Sequence, residues 1–411
     1  VTPRLSRRTF LTTAGALGAI AAGATACSTE ATKRSTSNVV DFHGEHQAGI
    51  TTKQQDHLHF ASFDVITEDR EKLQDLLKEW TEIARRMCRG ELAEPGAMED
   101  TGQAQVPDDS GEAYDLPASN LTVTVGFGPS LFDDRFGFKR VRPKELTPLP
   151  HFSGDLTRKE ISNGDLCVQA CADNPQVAVH AVRNLARVGA GIVAVRWSQL
   201  GFGHASATTR DQQTPRNLFG FKDGTNNIKA EDQETLDQYV WVRDADSWMD
   251  GGTYLIARRI RMLIENWDRQ VLREQEGTFG REKRSGAPLG ASDEFDPLPL
   301  ESKDERGEPL VPLDAHSRLA SPAENAGQHM LRRAYNFTDG SDGFGHLDAG
   351  LFFIAMVAAP SESFIPIQSK LAKNDRLNEY VRYESSSIFA IPPGLRDEQD
   401  YFGRTLFEAR A

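Results

Sequence analysis

The chain has little cysteine, a deficit of positive charge and, past its first residues, no long apolar run. Cys27, Cys88, Cys167 and Cys171 are the only cysteines in 411 residues. No spacing among them fits a zinc site or a disulfide framework. Cys167 and Cys171 fall in a stretch that reads as one strand, which sets their Cα atoms roughly 13 Å apart. A disulfide spans only about 4.4–6.8 Å, so both read as reduced core cysteines on one strand face. Lys and Arg number 47 against 60 Asp and Glu, a net charge of −13. That balance argues against a nucleic-acid partner. Beyond the N-terminus nothing is apolar enough to span a membrane. Residues 91–119 hold eight acids and no Lys or Arg, and read as a solvated loop. What remains, 38% hydrophobic residues, suffices for a folded core.

Residues 1–27 read as an export signal. Ser6-Arg7-Arg8-Thr9-Phe10-Leu11 is a twin-arginine pattern, a small apolar run follows, and Ala24-Thr25-Ala26 suits cleavage. Cys27 comes next, so a lipid-modified cysteine is the alternative to simple cleavage. Residues 28–50 read as a flexible tether and docking segment. His43 and His46 in it could suggest a metal pair, but glycines break any helix that would align them. Surface histidines are the favoured reading.

Strands are expected over 57–66, 121–127, 165–172 and 191–200, and helices over 70–89 and 175–188, where apolar residues recur at i, i+3 and i+4. The order β-α-β-β-α-β is a ferredoxin-like unit. A second set follows: a strand at 252–260, a helix at 262–273, a long polar loop over 274–315, strands at 331–337 and 351–359, a helix from 361 and a closing strand at 386–391. The fold class is therefore α+β, with two ferredoxin-like domains at 51–215 and 216–411.

Three features could carry chemistry. In Asn217-Leu-Phe-Gly-Phe-Lys-Asp-Gly-Thr-Asn-Asn227, Gly220 and Gly224 bracket one carboxylate, Asp223. An ordinary turn has the same composition, but glycines also let a backbone approach a flat ligand. His316 ends the long loop, where a histidine is either solvated or a ligand. Arg332 and Arg333 open a strand and so point to opposite faces, one toward a buried site and one toward solvent. A salt-bridged strand edge is the plainer alternative.

Gly220-Phe221-Lys222-Asp223-Gly224 resembles the G-x-x-D-G motif of dye-decolourising (DyP-type) haem peroxidases. The likeness continues through 165–173, His316-Ser317-Arg318-Leu319-Ala320-Ser321-Pro322 and Leu331-Arg332-Arg333-Ala334-Tyr335. It is greatest to the exported, twin-arginine deferrochelatase/peroxidase subgroup, and it covers nearly everything after residue 40. Ser317 and Ser321 depart from the usual β-branched residue and asparagine. The resemblance implies a dimeric α+β barrel type of fold, with one haem b per chain held by the second domain. It implies His316 as the axial iron ligand, with Asp223 and Arg332 on the peroxide-binding face. Gly224, Thr225 and Asn226 would lie against the haem, as would Ser321 and Pro322. The activity implied is reduction of hydrogen peroxide and oxidation of dyes or other one-electron donors through a ferryl intermediate. Trp241, Trp248 and Tyr335 would either relay electrons or simply pack. Release of haem iron, or a non-catalytic haem-carrying lipoprotein, are the competing functions. A membrane tether at Cys27, a homo-oligomer and iron-uptake or copper-protein partners stay open.

Overall fold

The structure, a computed structural model, describes residues 38–95 and 106–409. The segment expected to be an export signal, Cys27 and residues 28–37 of the expected tether lie outside the described residues. β1 (His57–Val65) comes first. Asp69 then caps α1 (Arg70–Cys88), its carboxylate accepting from Glu71 N at 2.9 Å and Lys72 N at 3.2 Å. Such a cap satisfies backbone donors that the first helical turn leaves free. The helix buries Leu73, Leu76, Leu77, Trp80, Ile83, Ala84 and Met87, the stripe read from the sequence. β2 (Thr122–Phe127) and β3 (Leu166–Ala172) follow. Asn174 caps α2 (Pro175–Val188), with proline at its first position, and β4 (Val193–Phe202) completes the set. The strands lie in the order β4-β1-β3-β2, antiparallel throughout.

The second half repeats this plan with additions. It runs α3 (Gln233–Tyr239), β5 (Thr253–Met262), α4 (Ile264–Trp267), α5 (Leu272–Phe279) and α6 (His316–Leu319), then β6 (Leu331–Arg332), β7 (Tyr335–Ser341) and β8 (Leu347–Val357). It ends with α7 (Phe364–Asn374), β9 (Val381–Tyr383), β10 (Ser387–Ile391) and α8 (Arg404–Glu408). Here β10-β5-β8-β7 repeats the spatial order of β4-β1-β3-β2. The two sheets meet where Phe127 of β2 pairs with Ala390 of β10, and Phe202 of β4 with Asn336 of β7. The ring of strands is thereby closed into a barrel.

Alternation along each strand sorts its side chains. Leu58, Phe60, Cys167, Cys171, Trp197, Leu255, Tyr335, Phe352 and Phe389 form one cluster inside the ring. Phe63, Val65, Val123, Val125, Val168 and Ile256 join α1 and α2 in another outside it. Cys167 and Cys171 are free and buried on the inner face, as expected.

Several expectations need correction. The helix expected over 262–273 is two short ones. Met262 stays in β5 because it pairs with Val381, and the chain bends between the buried Trp267 and the extended, exposed Val271. α5 then occupies the start of what reads as polar loop. α3 and β9 have no counterpart in the sequence reading. The strand expected over 331–337 appears as β6 and β7, which keep one register along β8 and lapse at Arg333–Ala334.

Candidate active site

The turn at 215–227 is built by its own polar groups. Phe219 N donates to Asn217 Oδ1 at 3.1 Å, Asn217 N to Phe221 O at 3.0 Å, and Asp223 N to Pro215 O at 2.9 Å. Gly220 and Gly224 both take positive φ, +83° and +96°. A Cβ at Gly224 would stand 3.0 Å from Ser206 Cα and 3.2 Å from Ala207 N, so close backbone packing also requires glycine there. Phe219 and Phe221 point away from the tip into an aromatic cluster. Phe219 lies 4.5 Å from Trp267 between ring centroids, and Phe221 stacks on Phe279 at 4.2 Å. Phe279 in turn meets the His316 ring edge-on at 6.1 Å. That wall joins the turn carrying Asp223 to the helix carrying His316.

Asp223 Oδ1 accepts from Arg332 Nη1 at 2.7 Å, and its Oδ2 from Asn217 Nδ2 at 3.2 Å. His316 opens α6, and its Nδ1 lies 2.6 Å from Asp375 Oδ2. With Nδ1 donating to the carboxylate, the Nε2 lone pair is free. Asp375 is buried, and its second oxygen accepts from Leu377 N at 2.8 Å at the start of a 3-10 turn. Burial alone would depress the imidazole pKa. The charge and hydrogen bond of Asp375 outweigh it and hold the group above its ordinary value, with a further push from Asp223 opposed by Arg332. The side chains of His316, Asp223 and Arg332 keep 32%, 15% and 24% of their accessible surface, so each is partly open to solvent.

These residues fit a haem. Among the described residues no group of three or more His, Cys, Asp or Glu could hold a bare metal ion. A single imidazole suits an iron that brings its other ligands with it, and a carboxylate on Nδ1 is the usual orienting partner of a metal-ligating histidine.

The two arginines separate as strand alternation requires, but Arg333 does not meet solvent. It is fully buried, donating to Thr52 O at 2.5 Å and to Gln55 Oε1. Thr225 donates to Glu294 Oε1 at 2.9 Å, and Lys222 pairs with the same carboxylate. Glu294 ties the long loop to the turn. Asn226 is exposed. Ser321 is buried, donating to Arg318 O at 2.7 Å, and Pro322 begins a 3-10 turn. Trp241, Trp248 and Tyr335 are all buried in packed clusters. His46 is not a free surface histidine: it stacks on Trp241 at 3.6 Å and sits 2.6 Å from Gly251 O. His180 is a buried core histidine, with Asn184 Nδ2 at 3.0 Å.

Asp375, Asn227, Glu294 and Phe279 were missed in the sequence. Asn227 closes the 217–227 stretch, three residues after Gly224, and that proximity is its one local signal. The other three carry no local signal, because each meets the site through distant chain.

Two family models cover the chain, "Dyp-type peroxidase, N-terminal" over residues 47–203 and "Dyp-type peroxidase, C-terminal" over residues 214–396. The chain is 37% identical over 375 residues to the deferrochelatase of Escherichia coli strain K12, covering 89% of this chain and 86% of that one. It is equally similar to a Yersinia pestis deferrochelatase, at 37% over 375 residues with 90% and 85% covered. Among solved structures, ferric DtpA from Streptomyces lividans matches with a TM-score of 0.82 and 40% identity, covering 91% of this chain and 98% of that one. A DyP-type peroxidase from Cellulomonas bogoriensis matches at 0.80 and 36%, covering 90% and 98%.

Proposed function

The chain belongs to the Dyp-type peroxidase family, whose members are haem-dependent enzymes using hydrogen peroxide and a reducing substrate, and from that premise we propose that Asp223 and Arg332 carry the peroxide step and that His316 would hold the haem iron. The observation that carries this reading is the 2.7 Å contact of Arg332 with Asp223, together with a His316 ring anchored through Nδ1 to Asp375 at 2.6 Å. Haem, when bound, would supply the two electrons that reduce peroxide and recover them one at a time from two donor molecules. The rest is the work of the chain. Asp223 accepts a proton from one peroxide oxygen and returns it to the other, so that the O–O bond breaks and water leaves. The Arg332 guanidinium stays charged at any working pH and stabilises negative charge developing on the departing oxygen. Asn217 keeps the carboxylate turned toward that exchange. Asp375 orients the His316 ring. Gly224, Thr225, Asn226, Ser321 and Pro322 would line the haem edge.

Stopped-flow mixing with hydrogen peroxide tests the division of labour. Arg332→Leu should slow the reaction on the order of 100-fold or more, the usual loss for one preorganised charged donor. Asp223→Asn should cost less, because a water can pass the proton around it. Wild-type speed in Arg332→Leu beside a dead Asp223→Asn would place the whole step on the carboxylate.

A second reading, removal of iron from haem, follows from the name deferrochelatase carried by relatives at 37% identity. Recovery of iron together with intact porphyrin would support it; loss of the porphyrin with the iron would rule it out. Among the described residues no helix is long and apolar enough to cross a membrane. Export by the twin-arginine route rests on Arg7 and Arg8 ahead of a weakly apolar run. An Arg7→Lys, Arg8→Lys double variant should remain in the cytoplasm, and normal export of it would defeat the assignment. Mass spectrometry of the mature N-terminus separates lipidation of Cys27 from cleavage after Ala26.

A further inference from the structure

Arg332 is held at two ends by one short turn. Its guanidinium meets Asp223. Its peptide meets Asn227, which is buried. Along β8, Arg333 N donates to Ile354 O at 2.9 Å, so the neighbouring Arg332 N–H and C=O point the opposite way. Among the described residues no strand pairs with them there. The Asn227 side chain does so instead: its Oδ1 accepts from Arg332 N at 2.7 Å, and its Nδ2 donates to Arg332 O at 2.9 Å. The same Nδ2 donates to Ala207 O at 3.0 Å, tying the pair to the segment that packs against Gly224. A primary amide is the one short side chain that offers both an acceptor and two donors. Alanine at 227 would leave the Arg332 peptide with no partner on that side and free to shift.

We propose that Asn227 is a positioning residue for the peroxide step, fixing the Arg332 backbone so that its guanidinium meets Asp223 and incoming peroxide together. This rests on the role given to Arg332 above. Its effect is on geometry, since a displacement near 1 Å at a reacting centre costs on the order of 100-fold.

The test uses the haem-loaded enzyme as wild type, Asn227→Ala, Asn227→Asp, Arg332→Leu and the Asn227→Ala, Arg332→Leu double variant. Two quantities are read on each: the second-order rate constant with hydrogen peroxide, and the affinity of the ferric protein for fluoride, an anion that a distal guanidinium would stabilise. Asn227→Ala should lose about 10- to 100-fold in rate and bind fluoride more weakly. Asn227→Asp keeps the acceptor for Arg332 N but loses both donors, and should fall between. If Asn227 acts through Arg332, the double variant is no slower than Arg332→Leu alone. Losses that multiply in the double variant would overturn the proposal, as would a wild-type rate and fluoride affinity in Asn227→Ala while Arg332→Leu is slow. Should Asn227→Ala fail to hold haem, Asn227→Asp takes its place, alone and with Arg332→Leu, under the same criteria. A wild-type rate in Arg332→Leu sinks the role of Arg332 itself, and the proposal with it.

Discussion

His316 depends on a residue that no local pattern connects to it. Asp375 lies 59 positions later, at the end of α7, yet its carboxylate is 2.6 Å from Nδ1. The backbone is tied there as well, since Arg376 N donates to Asp314 O at 3.0 Å. If His316 holds the haem as proposed, its free Nε2 and the anionic partner on Nδ1 would make it an electron-rich ligand. His316→Ala should therefore lose haem, read as the ratio of haem to protein absorbance. Full occupancy with an unchanged histidine-ligated spectrum would mean that another histidine binds. Asp375→Asn keeps an acceptor for Nδ1–H but removes the charge. The ferric/ferrous potential should move to more positive values in a spectroelectrochemical titration, because the reduced iron is no longer disfavoured by a nearby anion. An unchanged potential would assign Asp375 a purely orienting role. His316 was visible in the sequence as a loop histidine inside a motif. Its anchor was invisible, because Asp375 locally reads only as the cap of the next turn.

Among the elements, the turn at 215–227 is the one on which the site depends. Its composition already suggests a turn, but the reason for Gly224 is tertiary. At φ +96° a side chain is strained, and a Cβ would press on the backbone of Ser206 and Ala207. Gly224→Ala should cost about 1–3 kcal/mol and lower the midpoint of thermal unfolding, and unchanged stability would mean the turn can relax. The break between α4 and α5 shows the converse. Residues 262–273 carry enough apolar periodicity to suggest one helix, yet pairing of Met262 with β9 and burial of Trp267 under Phe219 and Tyr380 override it. That break places Phe279, at the end of α5, against His316.

For the molecule as a whole, closure of the two sheets matters more than either alone. Each junction between them is a single paired position, so side chains must help hold the ring. Arg258 of β5 and Asp155 of the first half form an ion pair with no exposed surface on either side chain. The guanidinium also lies 5.0 Å from the Phe152 ring and 4.5 Å from Tyr383. Removing one partner of such a pair leaves a buried charge, at about 3–5 kcal/mol. Asp155→Ala should lower the denaturant midpoint accordingly, and Asp155→Ala with Arg258→Met should recover much of the loss. If the double variant is no more stable than the single, the lost packing rather than the stranded charge sets the cost.

The order of strands and helices in the first half, the buried Cys167 and Cys171, the stripe of α1 and the candidates Asp223, His316 and Arg332 were all legible in the sequence itself. Each rests on a period, a cap or a motif that neighbouring residues complete. Which arginine faces the site was only half decided there. Alternation separates Arg332 from Arg333, but the closed barrel makes the second face interior, so Arg333 is buried instead of solvated. Asp375 beneath His316, Glu294 on the turn and Asn227 against the Arg332 peptide were decided by tertiary structure alone. Those contacts join chain positions far apart, and a hydrogen bond leaves no periodic trace in the residues between its partners.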